Sequence, residues 1–181
     1  MVKKNYIVFS GGPGSGKSSL LDYLQAKGFS VVREVARSII RERKLEGLSP
    51  RPGAKEFAEN IFLKDLAAYH SKENETGFVF FDRCLCDSAC MLHLSGHPWT
   101  VKARNDMKTM RFRSPVFMFP PWKEIYTKDE DRDQEFDEAC AVYIQLQRWY
   151  LENDYALEEV PLMPVETRAE WMLKRIGIYD K

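Results

Sequence analysis

No apolar run in this sequence approaches the roughly 18–20 residues that a membrane-crossing helix needs. Its apolar stretches are strand-length, such as Phe78-Val79-Phe80-Phe81. After the basic start Met1–Asn5 comes only Tyr6–Phe9, too short for the core of a signal peptide, so a cytoplasmic protein is expected. Charge of one sign is also lacking. Lys plus Arg is 27 and Asp plus Glu is 27, a net charge of zero. A general nucleic-acid binder would show a basic excess, so nucleic acid is an unlikely partner. There is no repeat, no low-complexity tract and no Gly/Ser/Pro-rich linker, and 181 residues suit one domain spanning 1–181. Cysteine is scarce, with four in all, which fits reduced thiols rather than disulfide staples. Cys84, Cys86, Cys90 and His93 lie close together as C-x-C-x3-C-x2-H, but that spacing lacks the paired short clips of a zinc site. Small apolar residues on a buried helix are the expected reading.

What the chain does have is an ordinary globular balance, 44% apolar and 30% charged, with strand-like and helix-like segments in alternation. That alternation argues for an α/β fold around a mostly parallel sheet. Strands are predicted at 5–10, 29–33, 78–81, 115–119 and 155–160. Helices are predicted at 17–27, 34–46, 54–74, 85–94, 101–112, 133–153 and 164–176. Gly28, Gly96 and Gly177 act as helix stops.

Between the first strand and first helix lies Gly11-Gly12-Pro13-Gly14-Ser15-Gly16-Lys17-Ser18, a match to the phosphate-loop pattern G-x4-G-K-S/T. The spacing has a mechanical reason. Glycines let the backbone wrap so that its N–H groups converge on phosphate oxygens, and the helix that starts there adds a favourable dipole. Lys17 is placed to reach the β- and γ-phosphates of ATP, the Ser18 hydroxyl to ligate Mg²⁺, and Ser19 to complete the nucleotide-binding run. The guanine-specifying N-K-x-D pattern is absent, which favours ATP over GTP.

A phosphate loop needs a further acid for its metal. Asp82 follows the apolar strand 78–81, at the sheet edge where ligands bind in open α/β folds, and Arg83 beside it can clamp a phosphate oxygen. Glu34, at the end of the second strand, can accept a proton from a substrate hydroxyl, or it can simply cap its helix. Arg37, one turn on, is a candidate for binding substrate or phosphate. Asp87 lies one turn past Arg83 and either faces substrate or serves as a capping or surface acid. Tyr126–Arg132 is charged and sits between a strand and a helix. It reads equally as a lid over the nucleotide, with Arg132 and less strongly Lys128 neutralising the transferring phosphoryl group, or as a solvated helix start. The lid-like segment is expected near 121–133. Val160–Val165 can wall an adenine ring or be a plain connection. Trp99, Trp122, Trp149 and Trp171 are expected to pack rather than to stack on bases.

The phosphate loop, Arg33-Glu34-Val35-Ala36-Arg37, Phe81-Asp82-Arg83 and Asp129-Glu130-Asp131-Arg132 together resemble the motifs of small P-loop kinases. More closely, the chain resembles over nearly its whole length a family of bacterial-type P-loop ATPases. That family is grouped by name with AAA ATPases and is related to the nicotinamide riboside kinase domain. The likeness extends to Pro120-Pro121-Trp122-Lys123-Glu124-Ile125-Tyr126 and Val165-Glu166-Thr167-Arg168. It implies a three-layer α/β/α fold with a parallel five-stranded sheet in the order 2-3-1-4-5, Glu34 as the base, and Asp82 and Arg83 as the acid-arginine pair. Two functions follow as expectations. One is a Mg²⁺-dependent kinase that moves the ATP γ-phosphoryl to a hydroxyl on a small molecule, with Lys17, Glu34, Asp82, Arg83 and Arg132 as its catalytic set. The other is an ATP-binding switch or slow ATPase acting through a protein partner. The kinase reading predicts a second pocket beside the γ-phosphate lined by Glu34, Arg37 and Asp87; the switch reading predicts none.

Overall fold

The structure, a computed structural model, describes residues 2–50, 52–96, 100–127 and 135–178. The elements in chain order are β1 (Val2–Lys3), β2 (Tyr6–Gly11), α1 (Lys17–Ala26), β3 (Ser30–Val32), α2 (Val35–Leu45), α3 (Ala54–Ser71), β4 (Val79–Asp82), α4 (Leu85–Leu94), α5 (Val101–Thr109), β5 (Arg111–Phe112), β6 (Val116–Phe119), α6 (Phe136–Glu152), β7 (Leu157–Glu159) and α7 (Val165–Ile176). A five-stranded parallel sheet runs β3-β4-β2-β6-β7. Counted over its own five strands, this is the expected order 2-3-1-4-5.

Continuous apolar runs mark the central strands because both sheet faces are covered. Along β2, Tyr6 and Val8 enter a core built with α3, α4, α5 and α6, while Ile7 and Phe9 enter a second core built with α1 and α7. In β4, Val79 and Phe81 alternate with Phe80, and in β6 Val116 and Met118 alternate with Phe117 and Phe119, in the same sense. Each large side chain so buried contributes about 1.5–3 kcal/mol. Cys84, Cys86 and Cys90 lie buried in the first core as small packing residues, and Trp149 and Trp171 pack at the margins of the two cores.

The helix expected over 101–112 ends at Thr109. Met110 leaves helical geometry, and Arg111–Phe112 pairs in parallel with Val2–Lys3 as a small second sheet. Aromatic packing explains the change: the Phe112 ring lies 5.1 Å from Tyr69 and 5.3 Å from Phe81, edge to face, a burial that an extended chain reaches there. Within the expected lid, Lys123–Ile125 forms a single 3-10 turn. Lys128 and Arg132, like Trp99, lie outside the described residues.

Gly11 ends β2 at φ 132°, and a Cβ there would stand 2.3 Å from the Phe119 carbonyl oxygen of β6. Gly11→Ala is expected to cost about 2–3 kcal/mol, from the strained backbone and the forced strand separation. The midpoint of chemical denaturation reads this directly; a midpoint equal to that of the wild type would mean that β2 and β6 part freely.

Candidate active site

The carboxyl edge of the sheet gathers the polar residues. Past Gly11 the chain turns through Gly14 and Gly16, both at positive φ, and enters α1 at Lys17. The first turn of α1 has no side-chain cap, which directs its amides to an anion. The Lys17 ammonium donates to the Gly12 carbonyl at 2.7 Å and to Ser15 Oγ at 3.2 Å, and Ser15 Oγ itself donates to the Gly12 carbonyl at 2.9 Å. Lys17 is buried, and burial, with the nearby Arg83 charge, lowers its pKa to about 8. A phosphate oxygen would supply the negative charge that this cation lacks.

Asp82 closes β4. Its Oδ2 accepts from the Ser18 hydroxyl at 3.3 Å, and its Oδ1 is buried with no hydrogen-bond partner among the described residues. Burial first, and the Glu34 charge second, push its pKa up to about 6. A hydroxyl beside a carboxylate with an orphaned oxygen is a donor set that suits a hard divalent cation. Ser18 and Asp82 could therefore hold Mg²⁺, with phosphate and water oxygens completing the sphere. Among the described residues no group of three His, Cys, Asp or Glu offers a metal cage, and this mode of binding needs none.

Glu34 stands at the N-terminus of α2 but makes no side-chain cap there. Its Oε1 accepts from Arg83 Nε at 2.9 Å and its Oε2 from Arg37 Nε at 3.3 Å. Burial alone would push the carboxyl up; the Arg83, Lys17 and Arg37 charges together outweigh it and hold the group below its ordinary value. Arg83 is itself set by the backbone, at φ 67°, with its N–H on the Phe9 carbonyl at 2.8 Å. Asp87 proves to be both a cap and a wall. It closes a capping box with Cys84 on α4, is buried, and accepts from Ser10 Oγ at 2.5 Å, Tyr150 Oη at 2.5 Å and Arg83 Nη1 at 3.4 Å. One carboxylate thus ties β2, α4 and α6 to the arginine that holds Glu34.

Two cavities meet here. One, of about 500 Å³, runs along the whole phosphate loop through Ser19 and is walled by Trp122, Met163, Pro164 and Arg168. Of the Val160–Val165 segment, Met163, Pro164 and Val165 thus line the phosphate-loop cavity, and Trp122 with them, while Val160 lies in the second core. The other, of about 380 Å³, opens between α2, α3, α4 and α6 and is mostly apolar; Arg83, Asp87 and Asp65 supply part of its polar lining. Pro13, Glu34 and Arg37 belong to both.

Sequence reasoning missed two of these residues. Arg168 is 3% exposed, its guanidinium lies 5.2 Å from the Trp122 ring centre, and its Nε has no hydrogen-bond partner among the described residues. It reaches so close to the phosphate loop that a Cβ on Gly16, at φ 82°, would stand 2.9 Å from its Nη1. Its position one turn before Met172 and two before Ile176, on the buried face of α7, was the available signal. Asp65 is the second, on the buried stripe of α3 that also carries Ala58, Ile61, Phe62 and Tyr69.

A family model described as an AAA domain matches residues 6–168. The chain belongs to that family. This AAA-domain chain has no match among curated proteins. Its fold is shared with solved structures of deoxyadenosine kinase from M. mycoides. The structure with the products dCMP and a flexible dCDP bound superposes with a TM-score of 0.66 at 14% identity, over 95% of this chain and 98% of the other. The structure with bound dATP gives 0.61 at 14% identity, over 95% and 99%, and that with bound dCTP gives 0.54 at 14%, over 98% and 99%. At that identity the likeness establishes the fold, the small P-loop kinase architecture.

Proposed function

We propose that the protein is a Mg²⁺-dependent kinase that transfers the γ-phosphoryl of ATP to a hydroxyl of a small molecule. The observation that carries this reading is the shared wall. A phosphate-loop cavity and an acceptor-sized cleft meet at Pro13, Glu34 and Arg37, which is where a γ-phosphate and an incoming hydroxyl must meet. A nucleotide switch has no use for the second cleft. In this reading Gly11–Ser19 bind the triphosphate, Lys17 and Arg83 neutralise charge on the moving phosphoryl group, and Ser18 and Asp82 hold Mg²⁺. Glu34 takes the hydroxyl proton, while Arg37 and Asp87 shape the acceptor site. Arg168 and Trp122 flank the nucleotide. Arg132 is proposed as a further cation over the phosphates. Mg²⁺ supplies charge neutralisation at the phosphate oxygens; the residues supply position. The expected partners are a nucleoside triphosphate and a small-molecule acceptor.

A thermal-shift screen of hydroxyl compounds with a non-hydrolysable ATP analogue, followed by transfer of labelled γ-phosphoryl to the hits, tests the reading. An acceptor at a hundredfold excess over Kd adds about 2.7 kcal/mol. If no compound stabilises beyond the analogue and ATP is only hydrolysed, the switch reading takes its place. The metal part has its own check. Asp82→Asn keeps the shape of the side chain but removes the charge, and should raise the Mg²⁺ concentration for half-maximal activity by roughly 10-fold or more, since second-shell losses alone reach that size. An unchanged Mg²⁺ titration would remove Asp82 from the metal site.

A further inference from the structure

The acceptor cleft contains one carboxyl group that the proposed chemistry does not use. Helix α3 presents Phe57, Ile61 and Asp65 to it on successive turns. The residue Asp65 is 7% exposed. The cleft's other carboxylates are answered: Glu34 by Arg83 and Arg37, and Asp87 by Ser10, Tyr150, Arg83 and the Cys84 amide. Among the described residues Ser88 of α4 is the hydroxyl that bears on Asp65. That hydroxyl has a single proton and also lies 3.2 Å from the Leu85 carbonyl, to which it donates. Among the described residues Asp65 is therefore a buried acid with no cation of its own.

We propose that Asp65 determines acceptor specificity, selecting a hydroxyl compound that carries a protonated amine on an apolar body. This rests on the kinase reading of the site and names the class of its acceptor. Three observations converge on it. The cleft is mostly apolar, so the body of the ligand is apolar. Its hydroxyl end is fixed at Glu34, on the wall shared with the phosphate loop. The cleft's arginines are already taken, since among the described lining residues Arg83 and Arg37 pair with Glu34 and Asp87 and leave Asp65 over; Cys90 is the other titratable group of that lining, and α6 contributes Val142, Gln145 and Leu146, none of them ionisable. Burial pushes Asp65 up to about 8, with the Asp87 and Glu34 charges acting in the same direction against Ser88 and Arg83. At neutral pH the carboxyl thus holds a proton and costs the fold more than an apolar residue would. A neutral hydrogen-bond donor on the ligand would be met as well by Asn or Ser. A cation is the ligand chemistry that gives the carboxylate its full value, because it restores the ionised form and makes a charge-assisted hydrogen bond. Binding then displaces the Asp65 proton to solvent, and the ion pair it leaves is neutral overall.

The test uses the full chain with Mg²⁺ and a non-hydrolysable ATP analogue. The probes are primary amino alcohols with aliphatic and aromatic bodies, each paired with the alcohol lacking the amine, and neutral nucleosides as the comparison. In calorimetry at least one amino alcohol should bind roughly 10- to 100-fold more tightly than its amine-free partner, the range for a hydrogen bond to a charged group. Asp65→Asn and Asp65→Leu should erase that preference while leaving ATP affinity intact. Titration in two buffers of different ionisation enthalpy should show proton release on amine binding in the wild type and not in either variant; a merely structural Asp65 would not move this readout. The inference is overturned if no amine in the set is preferred, if the preference survives both substitutions, or if phosphoryl transfer runs to a neutral nucleoside or alcohol equally in wild type and Asp65→Leu. In that last case the kinase reading stands. Absence of phosphoryl transfer to every hydroxyl tested fails the kinase reading instead, whatever the amines do in calorimetry.

Discussion

Glu34→Gln is expected to slow phosphoryl transfer by roughly 10²- to 10⁴-fold, the range for loss of a general base, with ATP affinity nearly unchanged. Gln keeps the length and an acceptor oxygen for the Arg83 guanidinium, which lies 2.9 Å from Oε1, so the arginine is not released. What is lost is the ability to take a proton. Because Arg83, Lys17 and Arg37 hold the Glu34 carboxyl below its ordinary value against burial, the base is ionised throughout neutral pH. The acid limb of the rate profile that belongs to Glu34 should then lie below its ordinary value of 4.5, and a fall in rate between pH 8 and 6 must come from another group. The measurement is single-turnover transfer to an identified acceptor, paired with ATP binding by calorimetry. Transfer at the wild-type rate would take Glu34 out of the chemistry and reduce it to a tether for Arg83.

Lys17→Ala should abolish most turnover, by roughly 10²- to 10³-fold as for removal of a preorganised charge at a transition state, without unfolding the protein. The second half is the less obvious one. Lys17 is buried, and its ammonium is held by two neutral oxygens, those of Gly12 and Ser15. Such a cation is a cost to the ligand-free fold. Its pKa is depressed from 10.5 to about 8, so the unfolded chain binds more protons than the folded one between those values. The Lys17 contribution to stability should therefore rise with pH across that window, by at most about 1.4 kcal/mol per unit, and level off at its lowest below pH 8. In the Ala variant this contribution should be missing, leaving the opposite slope of the buried thiols, whose raised pKa makes the folded chain bind the extra protons. Denaturant melts at pH 8 and 10 would show it; a slope equal in both proteins would mean that Lys17 is solvated in the free state. The same logic gives ATP binding its own pH dependence, because the phosphates favour the charged amine and weaken their hold as it deprotonates above pH 8.

Much of this was legible in the residues. The phosphate loop announces strand, turn and helix together, because only that sequence of backbone conformations lets Gly14 and Gly16 sit at positive φ in front of Lys17. The run 78–81 reads as a central strand because a strand buried on both faces has no polar alternation. Asp82 and Glu34 were visible as acids at strand ends. What the sequence obscured has two physical sources. Short pairings such as Val2–Lys3 with Arg111–Phe112 arise from tertiary packing of Phe112 and leave no periodic trace. Buried polar residues hide inside apolar stripes, since periodicity is scored on the apolar members alone. Asp65 follows Ile61 by four, and Arg168 precedes Met172 by four. A charged residue in register with a helix's buried face was the signal in both cases, and it points to the cavities rather than to the cores.

The buried thiols give the protein an internal clock. Burial raises the Cys84 and Cys86 thiols well above the ordinary value and moves Cys90 to about 12, and a thiol reacts only as its thiolate and only when reached. Cys140 is partly exposed, whereas these three are sealed in α4 and its core. Alkylation of Cys84 or Cys86 therefore times excursions in which α4 leaves the sheet, the subglobal openings whose free energies approach that of unfolding. Cys90 also lines the cleft between α2, α3, α4 and α6, so its alkylation times the parting of the helices around that cleft. The ratio of the two rates separates breathing of that cleft from loosening of the whole fold, in the native chain and with no label added.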